Sequence, residues 1–202
     1  MQTAKQVPQL YTRRLIIKGL QIEDLPAIAR LANERDIARF TSSFRFPCSV
    51  FHERQRLERI LKQGRSSPGD GSAVFLRSNP TLLVGMVNVS QSRKTGLWGL
   101  GYWMARQYRG RGYVQEAARA VIRAAFEAGA PEIYADAVPT NAASLRIIRR
   151  LGFKRAGVRM SPSRYYGFKR VVIRHVLMHE EFAKRATTLT QPTAVIAALR
   201  RN

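Results

Sequence analysis

The sequence predicts an α/β chain with a central mixed β-sheet flanked by helices. Three observations carry that reading. Strand-like and helix-like runs alternate between residues 97 and 152. A late run over residues 171–178 alternates Val171, Ile173, His175 and Leu177 with Val172, Arg174, Val176 and Met178, the pattern of a strand partly buried on both faces. The chain has 202 residues and 45% hydrophobic content, enough for one well-buried core and no reason to expect two. One domain is expected over residues 1–186. A mobile tail is expected over 187–202, where Pro192 breaks a polar stretch before the apolar residues 194–199.

Leu15, Ile16 and Ile17 form the first strand-like run. Apolar spacing at Leu25, Ile28, Ala29, Leu31 and Ala32 then predicts one helix over 21–40. A second helix is expected over 49–63, with Val50, Phe51, Leu57, Ile60 and Leu61 inward, Arg54, Arg56 and Arg59 outward, and Gly64 as its stop. Pro68, Gly69 and Gly71 mark an exposed loop, followed by a hairpin of strands 73–77 and 82–89 turning at Ser78-Asn79-Pro80. A strand over 97–104 leads into a glycine turn. The helix after it begins near Glu116, carries the stripe Ala117, Ala118, Val121, Ile122, Ala125 and Phe126, and ends at Gly129. A strand over 133–138 and a helix over 142–150 stopping at Gly152 complete the alternation. His175 and His179 are four apart on a strand, which is not the metal-binding face of a helix, so no metal is expected.

The glycine turn, Gln107-Tyr108-Arg109-Gly110-Arg111-Gly112-Tyr113-Val114, joins a strand to a helix. Backbone N–H groups at a helix N-terminus attract anions, and Gly110 and Gly112 let the chain turn and a ligand approach. The stretch reads as a diphosphate cradle or as an ordinary tight turn. A dinucleotide fingerprint needs a third glycine where Gln115 stands, and no P-loop Gly-Lys-Ser/Thr is present.

The spacing Gln-x-x-Gly-x-Gly, with Asn141-x-x-Ser144 and Leu151-Gly152-Phe153 downstream, resembles the GNAT acetyltransferases. Gly101-Tyr102-Trp103-Met104, Glu116-Ala117 and the opening Thr12-Arg13-Arg14-Leu15-Ile16-Ile17 are similar to the RimJ/RimL branch, whose members often acetylate protein N-terminal amines. The resemblance spans about residues 11–182. It implies a GNAT-type fold, acetyl-CoA as co-substrate, and a strand ending at Tyr102, Trp103 and Met104 that splays from its neighbour so that backbone groups pair with the pantetheine arm. Gln107, Arg109, Gly110, Arg111 and Gly112 would bind the diphosphate, with Arg109 and Arg111 otherwise simply exposed turn arginines. Asn141 would bind the arm or cap the following helix. Ser144 would protonate the departing thiolate, or is a helix serine bonded to the preceding turn.

The sequence departs from the wider family at three positions. Ile148 stands where many members carry a tyrosine acid, which leaves Ser144 as the candidate. Gly99 stands where many carry a glutamate base, so Asp136 and Glu116 are the remaining acidic residues nearby, with Glu116 expected to complement the helix dipole. An amine of lowered pKa could instead lose its proton to ordered water. Val171 stands where the branch commonly has aspartate.

Charge is the second unusual feature: 35 Lys plus Arg against 13 Asp plus Glu give a net +22. Such a field repels cationic small molecules and attracts polyanions, unless the arginines are only solvated surface. It favours an acceptor presented with RNA, such as a ribosomal protein, a ribosomal particle or charged tRNA. Arg54, Arg56 and Arg59, with Arg159, Arg164, Lys169 and Arg170, are the candidate contacts. Cys48 is the only cysteine and is expected to be inert. Without an apolar span or a secretory leader, a cytoplasmic protein is expected, and the sequence leaves open whether it is a monomer or a homodimer. The alternatives are acetylation of aminoacyl-tRNA or a small amine, and a non-catalytic RNA- or ribosome-binding module that retains a coenzyme A site.

Overall fold

A computed structural model describes residues 9–62 and 71–190. In chain order it contains β1 (Leu10–Tyr11), β2 (Leu15–Gly19), a 3-10 turn, α1 (Leu25–Leu31), α2 (Arg35–Phe40), α3 (Val50–Lys62), β3 (Ser72–Leu76), β4 (Asn79–Gln91) and β5 (Trp98–Met104). A second 3-10 turn, Arg106–Tyr108, precedes α4 (Tyr113–Glu127), β6 (Glu132–Ala137), α5 (Ala142–Leu151), β7 (Lys154–Pro162), β8 (Lys169–Met178) and α6 (His179–Thr190). The eight strands form one sheet in the order β1-β2-β3-β4-β5-β6-β8-β7. Every neighbouring pair is antiparallel except β5 and β6. Parallel strands need a crossover, and α4 supplies it.

Each face of the sheet carries its own core. Leu15, Ile17, Val84, Val87, Leu100 and Met104 pack against Ala118, Val121, Ile122 and Phe126 of α4 and Ile148 of α5. On the other face Ile16, Phe75, Met86 and Trp103 pack against Leu25, Ile28, Ile37 and Leu57 from α1, α2 and α3. Alternation along β5 thus sends Leu100 and Met104 to one layer and Trp103 to the other.

Several expectations need correction. The single helix over 21–40 is a 3-10 turn followed by two short helices, because Glu34 adopts an extended conformation between them. Asn33 and Glu34 serve distant partners: Asn33 Oδ1 accepts from the Cys48 amide at 3.0 Å and Glu34 Oε1 from the Arg106 amide at 3.0 Å. In α3, Val50 and Phe51 are exposed, and the inward face runs through Glu53 and Leu57. Arg56 also turns inward, its Nε donating to Glu53 Oε2 at 2.7 Å. The Leu61 side chain, the Gly64 stop and most of the loop after it lie outside the described residues. Gly71, itself expected in that loop, is the first described residue after it and forms a turn into β3.

β7 was not foreseen, since exposed residues on both faces give this edge strand no hydrophobic period. His179 opens α6 and stacks on Phe126 at 4.8 Å instead of extending the late strand. That helix runs to Thr190, so residues 187–190, assigned to a tail, are helical. Residues 191–202 lie outside the described residues.

Candidate active site

β5 and β6 pair only at Trp98 with Ile133 and Gly99 with Tyr134, and beyond these residues the two strands part. The fork has a defined inner edge. Ala105 N–H donates to Val84 O on β4 at 3.0 Å, so strand alternation turns the backbone groups of Trp103 toward β4 and those of Tyr102 and Met104 into the fork. Met104 O is taken by Arg109 Nε at 2.8 Å. The N–H and C=O of Tyr102 and the N–H of Met104 therefore have no strand to pair with and call for a ligand. Trp103 differs from expectation: its backbone serves β4, while its indole is buried edge-on to Phe44 at 5.6 Å.

Immediately downstream, Gly110 and Gly112 adopt left-handed φ values of 77° and 76°. A Cβ at Gly110 would meet nothing within 4 Å, and one at Gly112 only the Arg14 guanidinium at 3.5 Å. Gly112 is the N-cap of α4, which starts at Tyr113, earlier than expected, and no side chain caps its amides. An open backbone turn on an uncapped fifteen-residue helix is suited to an anion.

Glu116 proves to be more than a dipole complement. Its carboxylate accepts from Thr12 Oγ1 at 2.6 Å, the Arg14 amide at 2.8 Å and Arg14 Nε at 2.7 Å, clasping the start of β2 to the first turn of α4. Burial raises its pKa, but those hydrogen bonds and the Arg14 charge outweigh it and hold the carboxyl below the usual range. Arg14 NH1 also donates to Arg111 O at 3.0 Å, so the clasp fixes the glycine turn.

The turn residues divide. Arg109 braces the turn, with NH2 bonded to Glu34 Oε2 at 2.7 Å. Arg111 and Gln107 are exposed and do not line the cavity that runs along the fork, whereas Arg109, Gly110 and Gly112 do. That cavity, about 820 Å³, extends from the glycine turn past Tyr102, Asn141 and Ser144 to Phe44, Arg56 and Arg170.

Asn141 realises its capping alternative: its Oδ1 accepts from the Ser144 amide at 3.1 Å. Its side chain also borders the cavity, so the two readings coexist. The Ser144 hydroxyl lies 2.9 Å from the Tyr102 hydroxyl, a pairing across the fork instead of a bond to the preceding helical turn. Burial pushes the Tyr102 phenol up to about 12, against the opposing effect of its Ser144 hydrogen bond. The pair is a protonated donor network at neutral pH. Ile148 is buried and offers no donor.

Neither remaining carboxylate is a free base. Asp136 is held by Arg174 in a two-point pair of 2.9 and 2.7 Å, and Glu116 lies in its clasp. At Gly99 a Cβ would stand 2.7 Å from both Cζ and the hydroxyl of Tyr134. Sequence reasoning missed Tyr134, Arg174, Arg14 and Glu34. Only Gly99 gave a signal, an absent side chain whose space another residue fills.

Elsewhere, Cys48 is buried, and burial together with the Glu53 charge pushes its thiol up to about 12. No cluster of three metal-ligating side chains occurs among the described residues. Nor is any helix among them long and apolar enough to cross a membrane.

Comparison with known proteins agrees with this geometry. Residues 14–154, more than half of the chain, match the Acetyltransferase (GNAT) domain model. The chain is 23% identical over 147 residues to the uncharacterized N-acetyltransferase YnaD of Bacillus subtilis (strain 168), covering 72% of this chain and 82% of that protein. Among solved structures, Mycobacterium smegmatis RimJ in complex with CoA-disulfide superposes with a TM-score of 0.72 at 17% identity, covering 92% of this chain and 95% of that one. A ribosomal-protein-S5-alanine acetyltransferase from Vibrio fischeri gives 0.69 at 18% identity, covering 87% and 98%. With a forked sheet, an open glycine turn and a family model spanning both, the chain belongs to the GNAT acetyltransferases of the RimJ/RimL type.

Proposed function

We propose that this enzyme transfers the acetyl group of acetyl-CoA to the N-terminal amine of a protein carried on an RNA-containing particle, a ribosomal protein being the leading candidate. The site residues fit the co-substrate. The Gly110 and Gly112 amides and the N-terminus of α4 would hold its diphosphate. The free edge of Tyr102 and Met104, with Asn141 beside it, would align its pantetheine arm. The acetyl thioester supplies the activated carbonyl. Ser144 then delivers a proton to the departing sulfur and is resupplied through Tyr102, whose phenol, protonated across the neutral range, takes a proton from cavity water in turn. Arg109, pinned by Glu34, braces the turn, and Arg111 is left as a solvent-facing attraction for phosphate.

One observation carries the acceptor half of the reading. The β7–β8 hairpin exposes Arg155, Arg159, Arg164 and Lys169 beside the ring cluster of Tyr165, Tyr166 and Phe168, whose successive centroids lie 4.8 and 5.5 Å apart. Arg170 at the base of the hairpin bonds the carbonyls of Arg39 and Thr41 at the end of α2. The hairpin therefore stands beside the end of the cavity lined by Phe44 and Arg170, and cations interleaved with exposed rings suit RNA. Arg56 and Arg170, both committed within the fold, leave the contact set. Arg54 and Arg59 remain exposed on α3. The ribosomal name of the distant Vibrio fischeri relative supports the same reading.

The test combines labelled acetyl-CoA with purified ribosomes and with ribosomal proteins stripped of RNA. We expect label on a protein N-terminus, binding that falls log-linearly with salt, and much weaker salt dependence of coenzyme A binding. Reversal of Arg159, Arg164 and Lys169 should abolish ribosome binding while sparing transfer to a short neutral peptide. Undiminished labelling by that variant, or label confined to small molecules, overturns the acceptor assignment.

A further inference from the structure

The wider family's carboxylate position is Gly99, and the space above it is filled. Gly99 forms the last β5–β6 pair with Tyr134, at the apex of the fork, and a side chain at residue 99 would collide with the Tyr134 phenol at 2.7 Å. Tyr134 lies on the sheet face opposite the α4 core, to which its neighbours Ile133 and Ala135 point. Its ring is clamped. The Arg174 guanidinium sits 3.9 Å from the ring centroid and is itself fixed by its two hydrogen bonds to Asp136. Asn88, Gly99 and Asp136 border the cavity beside it, and the hydroxyl of Tyr134 has no hydrogen-bond partner among the described residues. A clamped ring with a free hydroxyl at the head of a forked cavity is preorganised for a ligand group.

We propose that Tyr134 is a catalytic residue that positions the acceptor amine, occupying the place of the missing carboxylate. The phenol oxygen accepts a hydrogen bond from the neutral amine and aims the nitrogen lone pair at the thioester carbonyl. The C–N bond forms and the C–S bond breaks. The nitrogen's surplus proton passes to cavity water, and the sulfur receives its proton from the Ser144 hydroxyl. Arg174 and Asp136 are positioning residues that act through the Tyr134 ring. The proposal holds for any primary amine acceptor and is independent of the RNA-borne target.

Tyr134→Phe keeps the ring over Gly99 and removes only the hydroxyl. Transfer to benzylamine and to a neutral alanine-terminated hexapeptide should fall roughly tenfold in kcat/KM, about the worth of one hydrogen bond. Calorimetry supplies a readout without turnover. The variant should bind coenzyme A like the parent, but lose roughly tenfold in affinity for a conjugate in which an acetyl bridge joins the sulfur to the benzylamine nitrogen. Because Gly99→Glu alone collides with the ring, it should be poorly active. Gly99→Glu combined with Tyr134→Ala should regain transfer, with a new acid limb in its pH–rate profile from the introduced carboxylate. Conjugate affinity unchanged by Tyr134→Phe overturns the proposal even if no tested amine is acetylated. A double variant no more active than Tyr134→Ala alone, though folded and coenzyme-binding, also overturns it.

Discussion

Replacing Ser144 by alanine separates the chemistry of the fork from its architecture. The hydroxyl makes one strong contact, 2.9 Å to the Tyr102 phenol, while the Asn141 cap is made to the Ser144 amide and survives the change. The helix therefore keeps its N-terminus. The phenol retains only its 3.4 Å approach to Ser144 O. Loss of one partly buried hydrogen bond costs about 1 kcal/mol, a change of a few degrees in Tm for a chain of this size. Loss of a proton donor to the leaving thiolate costs about 10²-fold in rate, equivalent to about 2.7 kcal/mol of barrier. The kinetic effect should exceed the stability effect more than twofold. Thiol release from acetyl-CoA, measured with a chromogenic disulfide and saturating amine, gives kcat, and calorimetry gives affinity. Tyr102→Phe should cost less than Ser144→Ala, and the double variant little more than Ser144→Ala, because the two hydroxyls form one relay. With the phenol at about 12, the wild-type rate should show no alkaline decline from this pair up to about pH 10. Unchanged kcat in a folded Ser144→Ala variant refutes the relay and leaves solvent as the proton source.

The glycine turn and the Glu116 clasp give further predictions. Gly110→Asp should weaken coenzyme A binding by at least tenfold in calorimetry, since its side chain enters open space and brings negative charge to the turn; Gly112→Asp is the less clean test because Arg14 would partly neutralise it. Unchanged affinity removes the turn from the diphosphate site. Glu116→Gln should cost about 1–2 kcal/mol at neutral pH by denaturant titration. Its parent carboxyl is depressed in the folded state, so its stabilisation is full above the unfolded pKa and disappears as pH falls through the folded one. The variant's stability should accordingly decline less steeply in acid, and parallel acid profiles would place the clasp's strength elsewhere.

Periodic residues made much of the architecture legible. The α4 stripe from Ala117 to Phe126 is buried as spaced, because a helix on a sheet must hide one face. The glycine turn and the Gly152 stop were equally plain, since left-handed backbone selects glycine in the sequence itself. β7 was illegible for the converse reason: an edge strand solvated on both faces imposes no pattern. Glu34 illustrates another limit. Local periodicity ran straight through it, yet its carboxylate bridges Arg106 and Arg109 more than seventy residues away, and that distant contact accompanies the break in the helix.

The sequence by itself determined the family, the open turn and the candidate donor Ser144, because each is written in residue types at short fixed spacing. Tertiary structure alone decided which of these groups are free to act. It pairs Asp136 with Arg174, spends Arg109 on Glu34, joins Tyr102 to Ser144 and lays Tyr134 over Gly99. The reason is physical: a charge or hydroxyl is defined by its partner, and partners thirty to a hundred residues away leave no mark on local spacing.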